Sequence, residues 1–359
     1  MNNKVLTFPH LGNYHVAIAF IANKLLEVDI MKPPPITKKT LEIGSKYSPD
    51  SVCVPFKYNI GNFIEALEKG ANVLAQAGSG CRYGYYPEVQ EQILRDLEYD
   101  FDFITIIPGD NVTIWTIYKK LKQINPNIGF VKYLYYLYFT YKMVLLIDWA
   151  EDYINKNIGF IECQGIFENL FSELISELGK VKGLLKLNRI IKKYKKEFRK
   201  IKVNKPKDCL KIAVIGEVYV VIEEFSNCYV EKQIAKMGVE VTSPITASYI
   251  LFRRKNFHKR LIETAGKYLT YAIGADGTDS VAKAKKYAEL GYDGIIHVKP
   301  FACMPEVNAM PMLQKISGDY KMPILYLSFD SQTSEVGIAT RIEAFYDMLK
   351  MKRKSNGNK

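Results

Sequence analysis

The sequence contains no CxxC pair, only four histidines, and no apolar run free of charge that is long enough to span a bilayer. Without CxxC, no short-range metal or redox-thiol signature exists. Four scattered histidines make zinc the less natural reading of the cysteines. The nearest approach to a membrane span, residues 130–149, is interrupted by Lys132, Lys142 and Asp148 and is rich in tyrosine, which suits a buried or interface helix, so no membrane role is expected. A signal-peptide pattern is also missing. Met1-Asn-Asn-Lys4 runs directly into the apolar Val5-Leu-Thr-Phe8 without a small-residue cleavage site. Six cysteines in 359 residues do not make a disulfide framework, so a reducing, cytoplasmic compartment is expected.

Acidic residues are scarce in one stretch. Between Lys180 and Lys207 stand thirteen Lys or Arg against a single acid, Glu197, a net charge of +12 that equals the formal charge of the whole chain. The rest is neutral overall. Within 184–205, Leu187, Ile190, Ile191, Tyr194, Phe198 and Ile201 recur at steps of three and four, the stripe of an amphipathic helix whose basic residues form its wet face. Such a face is ordinarily solvated. The alternative is docking of an acidic protein or an anionic ligand. Nucleic-acid binding is the weaker reading; it would show a steep salt dependence and need no cysteine. The basic tail, 351–359, is expected to fray.

A chain of this length suits two domains, and strand and helix patterns recur in two halves. Lys4–Gly12 reads as a short strand ending in glycine and followed by a helix over Val16–Leu26. Lys211–Gly216 reads as a strand that leads to a helix over about Asn227–Met237. Phe63–Gly78 gives a helix, a glycine cap and a buried strand, and Ala282–Val298 gives the same. Further strands at Phe103–Ile107 and Ile324–Phe329 end at Pro108-Gly-Asp110 and Asp330-Ser-Gln332. Strands alternating with helices specify βαβ units and parallel sheets. The expected organisation is α/β: a first lobe over 1–130, a helical basic insert over 131–207 and a second lobe over 208–350, with the lobes facing a central cleft.

Three cysteines sit among Gly and Pro at strand or helix junctions: Cys53 in Ser51-Val-Cys-Val-Pro-Phe-Lys57, Cys81 in Ala77-Gly-Ser-Gly-Cys-Arg-Tyr-Gly-Tyr-Tyr-Pro87, and Cys303 in Lys299-Pro-Phe-Ala-Cys-Met-Pro-Glu306. Cys81 and Cys303 fall just past the carboxyl end of a strand, where open α/β sheets place their ligands. Cys53 precedes a helix, whose N-terminus favours thiolate. Three thiols are one short of a full iron–sulfur ligand set, and a cluster with one iron not held by Cys can bind substrate as well as carry electrons. Gly78, Gly80 and Gly84 give the loop the backbone freedom to point N–H groups at sulfide. Three ordinary loop cysteines remain the plain alternative. Cys163, Cys209 and Cys228, the last within a helical pattern, lack the Gly/Pro setting and read as small hydrophobes. His10 and His297, near strand ends, read as satisfied core or cleft imidazoles.

Together the Cys53–Lys57 stretch, the Gly80–Tyr86 loop, the Pro300–Glu306 loop and the C-terminal Phe329–Phe345 segment resemble the 2-hydroxyacyl-CoA dehydratase superfamily, and within it the activase-associated branch. The resemblance covers both lobes and matches the insert poorly. It implies a [4Fe-4S] cluster held by Cys53, Cys81 and Cys303 between two Rossmann-like domains, with too few cysteines for a double cluster. In that family a homodimeric, ATP-dependent activator with an actin-like fold passes one low-potential electron to such a cluster and on to an acyl-CoA thioester. A second dehydratase-like subunit and an acyl-CoA substrate are implied in the same way, although no CoA-binding motif stands out here. Glu306, Ser79 or water are candidates for the fourth iron position. Lys57 and Arg82 are candidates for positive charge beside the cluster, where they could hold a carboxylate or thioester oxygen. For each the competing reading is structural: an exposed lysine in a first helical turn, and a salt-bridged arginine. The alternative function is a non-catalytic iron–sulfur relay or scaffold coupled to the activator.

Overall fold

A computed structural model describes residues 4–78, 80–108, 113–251 and 257–357, with the backbone alone at 106–108 and 356–357. Ser79, Gly109 and Asp110 lie outside these residues, and with them one candidate fourth ligand and one expected strand end.

The first half runs β1 (Val5–Thr7), α1 (His15–Leu26), β2 (Asp29–Ile30), α2 (Lys38–Tyr47), α3 (Val54–Glu68), β3 (Val73–Gly78), α4 (Tyr86–Asp96), β4 (Asp102–Pro108) and α5 (Ile114–Ile124). Three helices follow: α6 (Phe130–Asn157), α7 (Ile166–Gly179) and α8 (Leu184–Lys200). The second half opens with β5 (Leu210–Gly216), α9 (Val218–Ile222), α10 (Val230–Lys236), β6 (Val239–Thr242), α11 (Ala247–Leu251) and α12 (Phe257–Ala265). It closes with α13 (Ala275–Glu289), β7 (Gly294–Pro300), α14 (Met304–Tyr320), β8 (Ile324–Phe329) and α15 (Glu335–Gly357).

Each half carries a four-stranded, all-parallel sheet, in the order β2-β1-β3-β4 and β6-β5-β7-β8. The two orders are the same when strands are counted within each half. Two Rossmann-like α/β sheets are therefore present, as expected. The reason is legible in the strands: β7 is buried at every position and β5 at all but one, the continuous apolar reading of a strand covered by helices on both faces. Alternate residues feed opposite cores. Val73 and Ala75 pack with Leu6, Leu25 and Tyr133, whereas Leu74 packs with Phe56, Phe63 and Leu94.

Two compact units divide the chain. One holds the residues up to Leu145 with Ile175–Leu187; the other holds Leu146–Leu174 with everything from Asn188 onward. The helical stretch 131–207 is thus shared out between them, with α6, α7 and α8 each entering both. The apolar stripe of α8 is buried at Leu187, Ile190, Tyr194 and Phe198. The tail differs from expectation. Residues 351–357 continue α15, because Arg353 donates to the Asp208 carbonyl and pairs with Asp293, and basic residues in a last turn suit the helix dipole. No helix among the described residues is long and apolar enough to cross a membrane.

Candidate functional site

All three singled-out cysteines occupy one kind of position: the N-cap of a helix that starts beyond a strand or loop. Cys53 caps α3 and Cys303 caps α14, each with extended backbone and a proline in the first turn, at Pro55 and Pro305. Proline is suited to that turn because its missing N–H would have had no helical partner. Cys81 caps a short 3₁₀ turn, Arg82–Tyr85, that leads into α4. Pro87 and Pro305, with Glu88 and Glu306 after them, belong to the first turns of α4 and α14. The loop expected over Pro300–Glu306 therefore ends at Cys303 and is shorter than the sequence pattern suggested.

In the first unit Cys53 meets a tyrosine side chain and Cys81 a tyrosine amide, both from the segment 82–86. The Cys53 Sγ lies 2.7 Å from the Tyr86 hydroxyl, and the Tyr83 amide donates to the Cys81 Sγ at 3.4 Å. The two tyrosine rings stand 5.2 Å apart, Phe56 meets Tyr86 edge-on at 4.7 Å, and Asn59 donates to the Tyr83 hydroxyl. Burial, with the Cys53 thiol beside it, pushes the Tyr86 phenol far above its ordinary pKa, so this hydroxyl keeps its proton and can donate it to sulfur. Tyr86 was not singled out from the sequence; nothing in Tyr85-Tyr86-Pro87 marks which ring turns inward. Arg82 is exposed and Lys57 half-buried. Two buried side chains of this lobe, Asn59 and Gln76, keep polar atoms without a partner among the described residues.

In the second unit Cys303 follows β7, and β5 and β7 are the pair at which the strand order reverses. Below it lies a buried chain. His297 on β7 meets the Glu306 carboxylate at 2.6 Å through Nε2, and the Ser280 hydroxyl of α13 donates to the other Glu306 oxygen at 3.1 Å. His297 and Glu306 are fully buried. Glu306 therefore ties the first turn of α14 to β7 and α13. Close by, Glu217 caps α9 by accepting from the Tyr219 and Val220 amides. Burial and the neighbouring Asp276 push its carboxyl up to about 8.

Of the remaining thiols, Cys209 is buried as expected, Cys228 is half-buried, and Cys163 is exposed, against the expectation of a small buried hydrophobe. Burial raises Cys228 to about 11 and holds Cys209 above the ordinary thiol value, which suits inert sulfur. Cys228 is not helical, however. It and Tyr229 both adopt left-handed backbone (φ 57° and 56°) between a 3₁₀ turn and α10.

Residues 161–349, more than half of the chain, match the family model described as 2-hydroxyglutaryl-CoA dehydratase, D-component. The chain belongs to this family. Within the stretch matched to the 2-hydroxyglutaryl-CoA dehydratase D-component lie Cys163, Cys209, Cys228 and Cys303; Cys53 and Cys81 precede it. No curated protein matches the chain. Among the described residues no three His, Cys, Asp or Glu side chains are grouped to hold a metal ion; Cys53 and Cys81 lie in the first unit and Cys303 in the second. In this dehydratase-family chain the surroundings of each thiol fit an iron–sulfur group, because a thiolate-bound cluster needs N–H and O–H donors and helix N-termini to offset its charge.

Proposed function

We propose that this chain is a component of a CoA-ester dehydratase system of the activase-associated branch, with a [4Fe-4S] cluster held by Cys53, Cys81 and Cys303. On this reading it takes low-potential electrons from an ATP-dependent activator, and they serve radical dehydration or reduction of an acyl-CoA-type substrate with a second dehydratase-like subunit. The observation that carries the reading is that all three cysteines cap the N-termini of helical segments and that two of them share the Cys-x-Pro start. When bound, such a cluster supplies one electron at a time and an iron position open to substrate.

The chain's own residues then have definite tasks. The Tyr86 hydroxyl and the Tyr83 amide donate to the Cys53 and Cys81 sulfurs. Lys57 and Arg82 bring positive charge to the first lobe's rim, where it would raise the potential of a cluster and favour a carboxylate or thioester oxygen. Glu306, a candidate from the sequence for the fourth iron position, has both oxygens engaged by His297 and Ser280. We therefore give it the task of fixing the helix turn that Cys303 caps.

The test is iron and acid-labile sulfide content with a visible spectrum, on protein purified without oxygen. About four irons per chain are expected, depleted in Cys53→Ser, Cys81→Ser and Cys303→Ser and retained in Cys209→Ser. Wild-type protein that stays colourless and iron-free after anaerobic reconstitution would overturn the reading.

A further inference from the structure

From Phe130 to Ile147 the helix α6 is apolar on every side, and only one side of it is covered. Tyr133, Phe139 and Met143 are fully buried, Tyr133 in the core that also holds residues of β1 and β3. On the opposite side Val131, Leu134, Tyr135, Tyr138 and Leu145 are exposed, Val131 by 81% and Tyr138 by 53%. Their spacing places them on one helical stripe. A helix that is apolar all round is normally buried all round. Here half of that burial is missing.

Size and symmetry say what covers the stripe. Phe130 and the exposed Trp115 of α5 extend it, their rings 5.6 Å apart. Together these side chains show roughly 650 Å² to water, counting about 150–250 Å² for a whole aromatic side chain, which exceeds the largest apolar patch of an ordinary monomer. A standard interface takes about 800 Å² from each partner, with a core about two-thirds apolar, so the stripe is large enough for a stable dimer. It also matches itself. Two copies crossing antiparallel at Tyr138 set Val131 of one against Leu145 of the other, and Tyr135 against Tyr141, an isologous contact. The charges flank this stripe and share one sign, since 111–147 holds five lysines and no Asp or Glu. Lys132 is paired with Glu27 at 2.9 Å, and the Lys119 and Lys142 ammonium groups lie 5.7 Å from the Trp115 and Tyr138 ring centres. A cation held over a ring leaves its alkyl stem free to pack in an apolar contact.

We infer that a second copy of this chain packs on the α6 stripe, antiparallel, about a two-fold axis at Tyr138. The inference does not rest on the cluster reading. Its response to salt has a fixed sign. The flanking charges of both copies are positive and repel, so screening strengthens the dimer. An acidic partner protein on the same face would be loosened by salt instead.

The full-length wild type is followed by sedimentation velocity over a concentration series, at about 50 mM and about 500 mM salt. A monomer–dimer equilibrium is expected, tighter at the higher salt. Tyr138→Lys sets two further cations on the axis and should weaken the dimer by at least about 100-fold. Val131→Lys is a second variant should Tyr138→Lys not fold. Leu185→Glu, at an exposed apolar residue of α8, should leave the equilibrium unchanged. Tyr138→Cys, oxidised with copper–phenanthroline, should join two chains through residue 138, read as the linked peptide by mass spectrometry. Wild type that stays monomeric up to about 100 μM would overturn the inference, and binding of that monomer to phosphatidylserine vesicles would give the face to a lipid surface. A dimer that Tyr138→Lys and Val131→Lys leave intact, or one that high salt dissociates, would overturn it equally.

Discussion

Glu231 shows most simply what burial does to a single carboxyl in this protein. It is 8% exposed on α10 and accepts from Asn155 at 2.7 Å, and burial raises it from 4.5 to about 7. Between those two values the unfolded chain has released the proton while the folded chain retains it. Stability from this group is therefore complete below pH 4.5, declines as pH rises toward 7, and is not recovered above it. Glu231→Gln keeps an acceptor for Asn155 and has no proton to lose. In urea titrations the variant should match wild type near pH 4.5 and exceed it by about 2–3 kcal/mol above pH 7. Glu217 titrates with the same sign in both proteins, so it cancels from the difference. A pH-independent gap would mean that the Glu231 carboxyl is not held neutral in the fold.

At the scale of elements, close approaches between helices hold the cysteine-capped turns in place. A Cβ added to Gly44 on α2 would lie 1.7 Å from the Lys57 carbonyl oxygen of α3, and one added to Gly277 on α13 would lie 2.2 Å from the Pro305 carbonyl oxygen of α14. Neither obstacle is a side chain that could swing aside, so the helices must separate. Gly44→Ala and Gly277→Ala should each cost about 1–3 kcal/mol by urea unfolding. Gly277→Ala should also shift the alkylation rate of Cys303 without changing that of Cys81, and equal loss at both would point to general unfolding. The helices and strands were mostly legible. The 324–329 strand, the start of α3 just after Cys53 and the glycine breaks before β3 and β7 all follow from apolar runs punctuated by Gly and Pro. Two features were not. The helix expected over 227–237 is broken at Cys228 and Tyr229, whose backbone angles no periodicity records. The Cys303 loop was read too long, because Pro305 marks a helix start as readily as a loop end.

Across the molecule the basic surplus and the cysteines are separate matters. Arg189, Lys192, Lys193, Lys196, Arg199 and Lys200 are exposed while the apolar stripe of α8 is buried. Replacing Lys192, Lys193 and Lys196 by Glu should lower the isoelectric point and leave iron content and thermal midpoint within error of wild type, as measured by focusing, metal analysis and calorimetry. Loss of iron in that variant would tie the basic face to the cluster. The sequence by itself determined the α/β class, the two lobes, the amphipathic helix and the three cysteines to watch, because period, composition and Gly/Pro punctuation are local and survive in one dimension. Only the tertiary structure decided that Tyr86 turns to Cys53 and that Glu306 is committed to His297 and Ser280. Those facts depend on which side chains parallel strands and packed helices bring within hydrogen-bond reach, and residues 33, 26 and 9 positions apart in sequence carry no local mark of that meeting.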